Sequence, residues 1–116
     1  DFAQAGQHAE AAVDLHAAAV RLRNAGQYAA ALDVLDRAAA AADAGDVGDT
    51  AVRVAALTGN VLARSGRVDE GIATVRAALA RALELDRADL AADSYQRLAD
   101  AVERSGNFAG AVEAYR

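Results

Sequence analysis

Apolar residues recur along this chain at helical spacing. Leu15, Ala18, Ala19 and Leu22 fall at i, i+3, i+4 and i+7, and Leu32, Leu35, Asp36 and Ala39 repeat the pattern with one polar exception. The pattern predicts helices over about 7–24, 28–43, 50–64, 68–85 and 89–104, with a sixth from 108 to the end. Three breaks are marked by glycine. Gly26, Gly66 and Gly106 are each followed by a polar residue and an apolar anchor: Tyr28, Val68 or Phe108. The other two breaks, DAGDVGD at 43–49 and ELDRAD at 84–89, read as longer linkers between helix pairs. In them Asp46 or Asp49, and Asp86 or Asp89, stand where a carboxylate can cap the next helix by accepting backbone N–H bonds.

The three glycines are evenly spaced and set an ungapped repeat. In that register small residues align at Ala31, Gly71 and Ala111, and apolar ones at Leu32, Ile72 and Val112, then at Leu35, Val75 and Tyr115. Leu22, Leu62 and Val102 align before the glycines. Units of about 7–46, 47–86 and 87–116 follow, the last of them incomplete.

Composition supports an all-α chain and removes several function classes. Alanine supplies 35 of the 116 residues, aromatics only five, and Pro, Cys, Met, Trp and Lys are absent. Alanine has the best intrinsic helix propensity, and a β-sandwich would need alternating β-branched and aromatic residues that are missing here. No uncharged apolar run reaches the length of a membrane span. The absence of Cys excludes disulfides and thiol catalysis. Seventeen acids against twelve arginines give a net charge of −5 without a basic block, which argues against direct nucleic-acid contact. Arginine without lysine, beside so much alanine, points to a high-GC bacterial genome. Asp1 is not a translation start, so the chain reads as a piece of a longer protein, and a cytoplasmic location is expected.

The helix–Gly-turn–helix pattern resembles the tetratricopeptide repeat, over essentially the whole chain. The turn glycines correspond to Gly26, Gly66 and Gly106. The close-contact small residues are Ala19, Gly59 and Ala99 in the first helices, and Ala31, Gly71 and Ala111 in the second. The chain departs from the family in lacking Trp and a terminal Pro, and in using about 40 residues where the motif has about 34. Units this long are similar to those of bacterial maltose-regulator-type signalling ATPases and related transcription activators. The resemblance implies a right-handed superhelical solenoid of about six antiparallel helices, with a concave groove lined by the first helix of each pair. Two mid-helix glycines, Gly59 and Gly71, are expected to meet at a helix crossing.

Chemistry-bearing motifs are sparse. His8 and His16 have no Cys or HExxH context, and the aspartates at 43, 46 and 49 have the wrong spacing for a calcium loop. No serine has a placed base. No catalytic residue, metal or cofactor is therefore assigned. If the family geometry holds, the groove takes His16, Arg23, Arg53, Asn60, Arg64, Gln96 and Arg97 as its partner-binding candidates, with Val13, Val20, Asn24, Ala56, Asp100 and Arg104 beside them. The arginines suit a carboxylate or an acidic peptide, because a guanidinium can bind it bidentately. The family's chaperone-tail clamp is not reproduced, since His16, Val20, Leu57 and Asp93 replace its residues and only Arg97 agrees. The expectation is a non-catalytic protein-interaction or regulatory module of a larger bacterial signalling or transcription-regulating protein. Its partner is a protein, a peptide or another domain of the parent chain, and self-association through the last helix is a further expectation. A small-ligand effector sensor and a structural or oligomerisation spacer are the alternatives.

Overall fold

The computed structural model describes residues 2–104, apart from the side chains of Phe2 and Arg104. Among these residues the protein is all-α, with five helices: α1 (Phe2–Asn24), α2 (Tyr28–Ala44), α3 (Gly48–Arg64), α4 (Val68–Glu84) and α5 (Ala88–Arg104). The sixth helix expected from Phe108, together with Gly106 and Ala111, lies outside the described residues. Helix α1 begins five residues before the expected boundary, and α3 begins two before it.

The connections correct the sequence reading. The segments 43–49 and 84–89 are not long linkers. Helices α2 to α5 have 17 residues each. The turns at 25–27, 45–47, 65–67 and 85–87 are equally short, so helix starts recur at even intervals, at 28, 48, 68 and 88. All four turns close in the same way. Gln27, Val47, Arg67 and Arg87 donate their backbone N–H to the carbonyls of Leu22, Ala42, Leu62 and Ala82, at 2.9–3.1 Å. The preceding residues bond back to Arg23, Asp43, Ala63 and Leu83. This is the Schellman closure, which needs one left-handed residue at its corner. Gly26 and Gly66 supply it with φ of 76° and 105°, but Asp46 and Asp86 occupy the same corner at φ 54°. Asp46 and Asp86 therefore end one helix and do not cap the next. Val47 stands at the N-cap of α3 and makes no side-chain capping bond. Asp49 lies inside the first turn of α3 and Asp89 inside that of α5, where negative charge favours the helix dipole.

Consecutive helices pack on each other, and the odd-numbered ones also touch, α1 with α3 and α3 with α5. Among the described residues α2 and α4 share no contact. The body is 18 Å in its shortest dimension, about two helix diameters. Helix α3 sits at its centre. On one side Val54, Leu57 and Val61 join Ala19, Ala31, Leu35 and Ala38 of α1 and α2. On the other, Val52 and Ala56 join Ala78, Ala82, Leu90 and Ala91 of α4 and α5. A third cluster sets Val75 of α4 against Leu98 and Val102 of α5. Ala56, expected in the groove, is instead fully buried in the second cluster.

Gly59 and Gly71 meet at the α3–α4 crossing. A Cβ on Gly59 would lie 2.5 Å from the Gly71 carbonyl oxygen and 2.8 Å from the Val75 nitrogen, and neither backbone group can move aside cheaply. Mid-helix glycine costs roughly 1 kcal/mol in propensity, so the close approach explains why both positions are glycine. Gly6, within α1, has open space where a Cβ would go. Gly59→Leu is therefore expected to destabilise the fold by about 1–3 kcal/mol or more, whereas Gly6→Ala raises stability by about 0.5–1 kcal/mol. Urea denaturation of both variants checks the contrast. A Gly59→Leu variant as stable as the wild type would show that the crossing is looser than the backbone distances require.

Candidate functional site on the odd-helix face

The repeat register places polar residues of α1, α3 and α5 in one stripe. Along α3, Asp49, Arg53, Asn60 and Arg64 follow i, i+4, i+11, i+15 spacing, which keeps them on one face. Helix α5 answers with Asp89, Asp93, Arg97 and Asp100, and α1 with His16 and Arg23. The stripe contains two regions of different character.

At one end the side chains are committed to each other. Asn60 is 0% exposed, and its amide joins three helices. Its Oδ1 accepts from Arg23 Nη1 of α1 at 2.9 Å. Its Nδ2 donates to the Arg97 carbonyl at 3.0 Å and to Asp100 Oδ2 at 2.7 Å, both on α5. Both amide protons are thereby used. Arg64 grips the same carboxylate bidentately, Nε to Oδ2 at 2.9 Å and Nη2 to Oδ1 at 3.0 Å. Burial alone would raise the Asp100 carboxyl. The bonds from Arg64 and Asn60, and the charges of Arg64 and Arg23, outweigh it and hold the group down at about 2. The bond to Asp100 also raises Arg64 above its ordinary value.

Toward the other end the pairs are looser. Arg53 Nη2 reaches Asp89 Oδ2 at 3.3 Å, both side chains being well exposed. Asp89 is also held by Arg87, Nε to Oδ1 at 3.0 Å and Nη2 to Oδ2 at 2.9 Å, and Arg87 pairs with Asp49 as well. Arg97 lies 3.9 Å from Asp93 within α5. On α1, His16 is half-buried, and its Nε2 is shielded from solvent without a hydrogen-bond partner among the described residues. Burial lowers the His16 pKa; Arg97 and Arg53 add to the lowering and Asp93 opposes it.

Of the seven expected groove residues, hydrogen bonds and charge interactions bring together His16, Arg23, Arg53, Asn60, Arg64 and Arg97 in this stripe. Gln96 is exposed on α5 and joins none of the bonds described above. Val13 is 56% exposed, and Val20 packs partly against the core. Sequence reasoning misses Arg87, which ties the first turns of α3 and α5 together. Its signal is the 36–38-residue offset that also separates Arg53 from Asp89 and Arg64 from Asp100. The packing candidates Ala19, Ala31 and Ala99 are buried, and Gly26 and Gly66 form turn corners. Away from the stripe, an apolar furrow of about 570 Å³ runs between α3 and α4, floored by Ala51, Val52, Ala55, Ala73, Ala77 and Ala78.

Comparison with protein-family models, with curated proteins and with solved structures returns no match.

Asp100 and His16 make the fold acid-labile in separate windows. Both have folded pKa values below their unfolded ones, so each contributes stability that is present above the unfolded value and lost as pH falls. For Asp100 the window runs from about pH 4 to about pH 2. Its contribution is about 1–2 kcal/mol after discounting for solvent screening of a side chain that is 28% exposed. Unfolding free energies followed through this range should fall steeply in the wild type and more gently in Asp100→Asn. Parallel curves would remove Asp100 from the account.

Proposed function

We propose that the chain is a tetratricopeptide-like right-handed solenoid, acting as a protein-interaction and regulatory module of a larger bacterial cytoplasmic signalling or transcription-regulating protein. The odd-helix face receives a partner protein or peptide, or another domain of the parent chain, and the module carries out no catalysis. One observation supports this most: hydrogen bonds between successive odd-numbered helices recur at similar offsets, 36 to 40 residues. Arg23 bonds to Asn60, and Asn60 bonds to Arg97, each 37 residues further on. A translation repeated along the chain is what lets such arrays present one extended face. The absence of contact between α2 and α4 among the described residues fits a stack in which the odd helices form the inner layer. The arginines on that face favour an acidic partner.

A second reading is a small-ligand effector sensor, favoured by the apolar furrow between α3 and α4. Its volume of about 570 Å³ is within the range of small-molecule pockets. The exposed Leu83 and Tyr95, near the α4–α5 turn, favour instead a spacer that associates with itself or with other domains.

The variant that tests the groove is Arg53→Ala with Arg97→Ala. Neither side chain belongs to the Asn60–Asp100–Arg64 cluster, and Arg97 contributes to it only its backbone carbonyl. The double variant should keep its helical circular dichroism and lose the partner that the wild-type chain captures, and rising salt should weaken wild-type capture. Capture of the same partner at undiminished yield by the folded double variant would remove the odd-helix face from the proposal.

A further inference from the structure

The odd-helix face holds two arginines whose present ion pairs are loose and a histidine that both arginines disfavour as a cation. We propose that Arg53 and Arg97 form a site for a carboxylate-rich segment of a partner protein, and that filling it drives uptake of one proton by His16, which then replaces Arg97 as the partner of Asp93. The inference rests on the groove reading above and adds its regulation.

The geometry separates the stripe into a fixed part and an exchangeable part. Arg64 meets Asp100 through two short bonds, and Arg23 is bonded to the buried Asn60. Removing either guanidinium would strand a polar group in the interior, so these are structural arginines. Arg53 and Arg97 differ. Arg53 makes a single exposed bond to an aspartate that Arg87 already holds with two. Arg97 stands at the outer limit of an ion pair with Asp93, at 3.9 Å. The Arg53 pair is exposed and worth little. The Arg97 pair, though only about a fifth exposed, is too long to be a firm hydrogen bond, so both arginines can exchange partners.

The charges acting on His16 come from two helices. Arg53 on α3 and Arg97 on α5 oppose its protonation, and Asp93 on α5 favours it. Among the described residues, no charged group of α2, which also packs on α1, or of α1 itself is among the influences that shift it. A carboxylate group bound by Arg53 and Arg97 neutralises both opposing charges and draws Arg97 away from Asp93. Burial still opposes protonation, but the charges left acting on the ring are then carboxylates, Asp93 and those of the bound segment. The proton comes from solvent and rests on the imidazole, whose buried Nε2 has no partner among the described residues. By linkage, a ligand that raises the affinity for a proton is itself bound more tightly when the proton is present. Binding therefore strengthens as pH falls.

The test uses the full 116-residue chain and one ligand, an acetylated and amidated hexa-aspartate peptide at low ionic strength. Its carboxylates stay ionised between about pH 5.5 and about pH 7.5. Wild-type chain should bind it several-fold more tightly at the lower pH, with a slope no steeper than about tenfold per pH unit for one proton. The His16 ring resonances should titrate at higher pH with peptide than without it. His16→Gln should retain the binding seen at the higher pH and lose the pH dependence. Arg53→Gln with Arg97→Gln should abolish binding at both pH values while the chain stays folded. Binding that depends on the arginines but is equal at both pH values, with an unmoved His16, overturns the proton coupling and leaves the groove reading standing. Binding indifferent to both arginines overturns the coupling and the groove together. No binding of the peptide by the wild type overturns the acidic-segment site, and the partner-capture experiment then decides the groove by itself.

Discussion

A buried amide that must keep its hydrogen bonds fixes how the odd-numbered helices lie together. Asn60 has no access to water, and an unpaired polar group in such a place costs about 1–3 kcal/mol. Its bonds reach α1 through Arg23 and α5 through the Arg97 carbonyl and Asp100. A slide of either neighbour by one residue along α3 would break at least one of them. Apolar packing between alanine-rich helices supplies little such discrimination, because alanines present similar small bumps in many registers. Asn60 therefore selects one register among several that the hydrophobic effect would tolerate.

Gly59, the residue before Asn60, governs the opposite contact. It lets the α4 backbone approach α3 at Gly71, and the crossing is close because neither helix has a Cβ there. Adjacent residues on one helix thus set two interfaces by different means. One is polar and directional, and the other is steric. Around this centre the repeated short turns return the chain at equal intervals, so each odd helix comes beside the next at a similar offset. The polar stripe results from that regularity: residues 36–38 apart in the chain are brought side by side without any long loop.

Within the stripe, geometry and burial decide what each charge can do. Arg64 and Asp100 are close and shielded enough for their bidentate bond to hold the carboxyl near 2. Arg53 pairs in solvent, where ion pairs are screened, and Arg97 stands too far from Asp93 to hold it firmly. The same residue type is therefore firmly bonded in one half of the stripe and loosely paired in the other. Composition cannot draw that line, because Arg53, Arg64 and Arg97 are all simply arginines within helices.

The helices themselves are legible in the sequence because their cause is local. Alanine propensity, apolar spacing and glycine at the corners act within a few residues, and they fix where α2 to α5 run to within about two residues. The corners at Asp46 and Asp86 read as caps and linkers because aspartate is a common N-cap, and only the returning backbone bonds reveal the left-handed conformation. The choice between core and surface at Ala56, and between fixed and exchangeable arginines, depends on neighbours that belong to other helices. His16 carries no sequence signal of its environment, since Arg53, Asp93 and Arg97 act on it from α3 and α5. Sequence alone determined the helices and their period, whose physics is short-range. Tertiary structure decided which polar groups lost their water and which charges they then faced, and those are consequences of long-range packing.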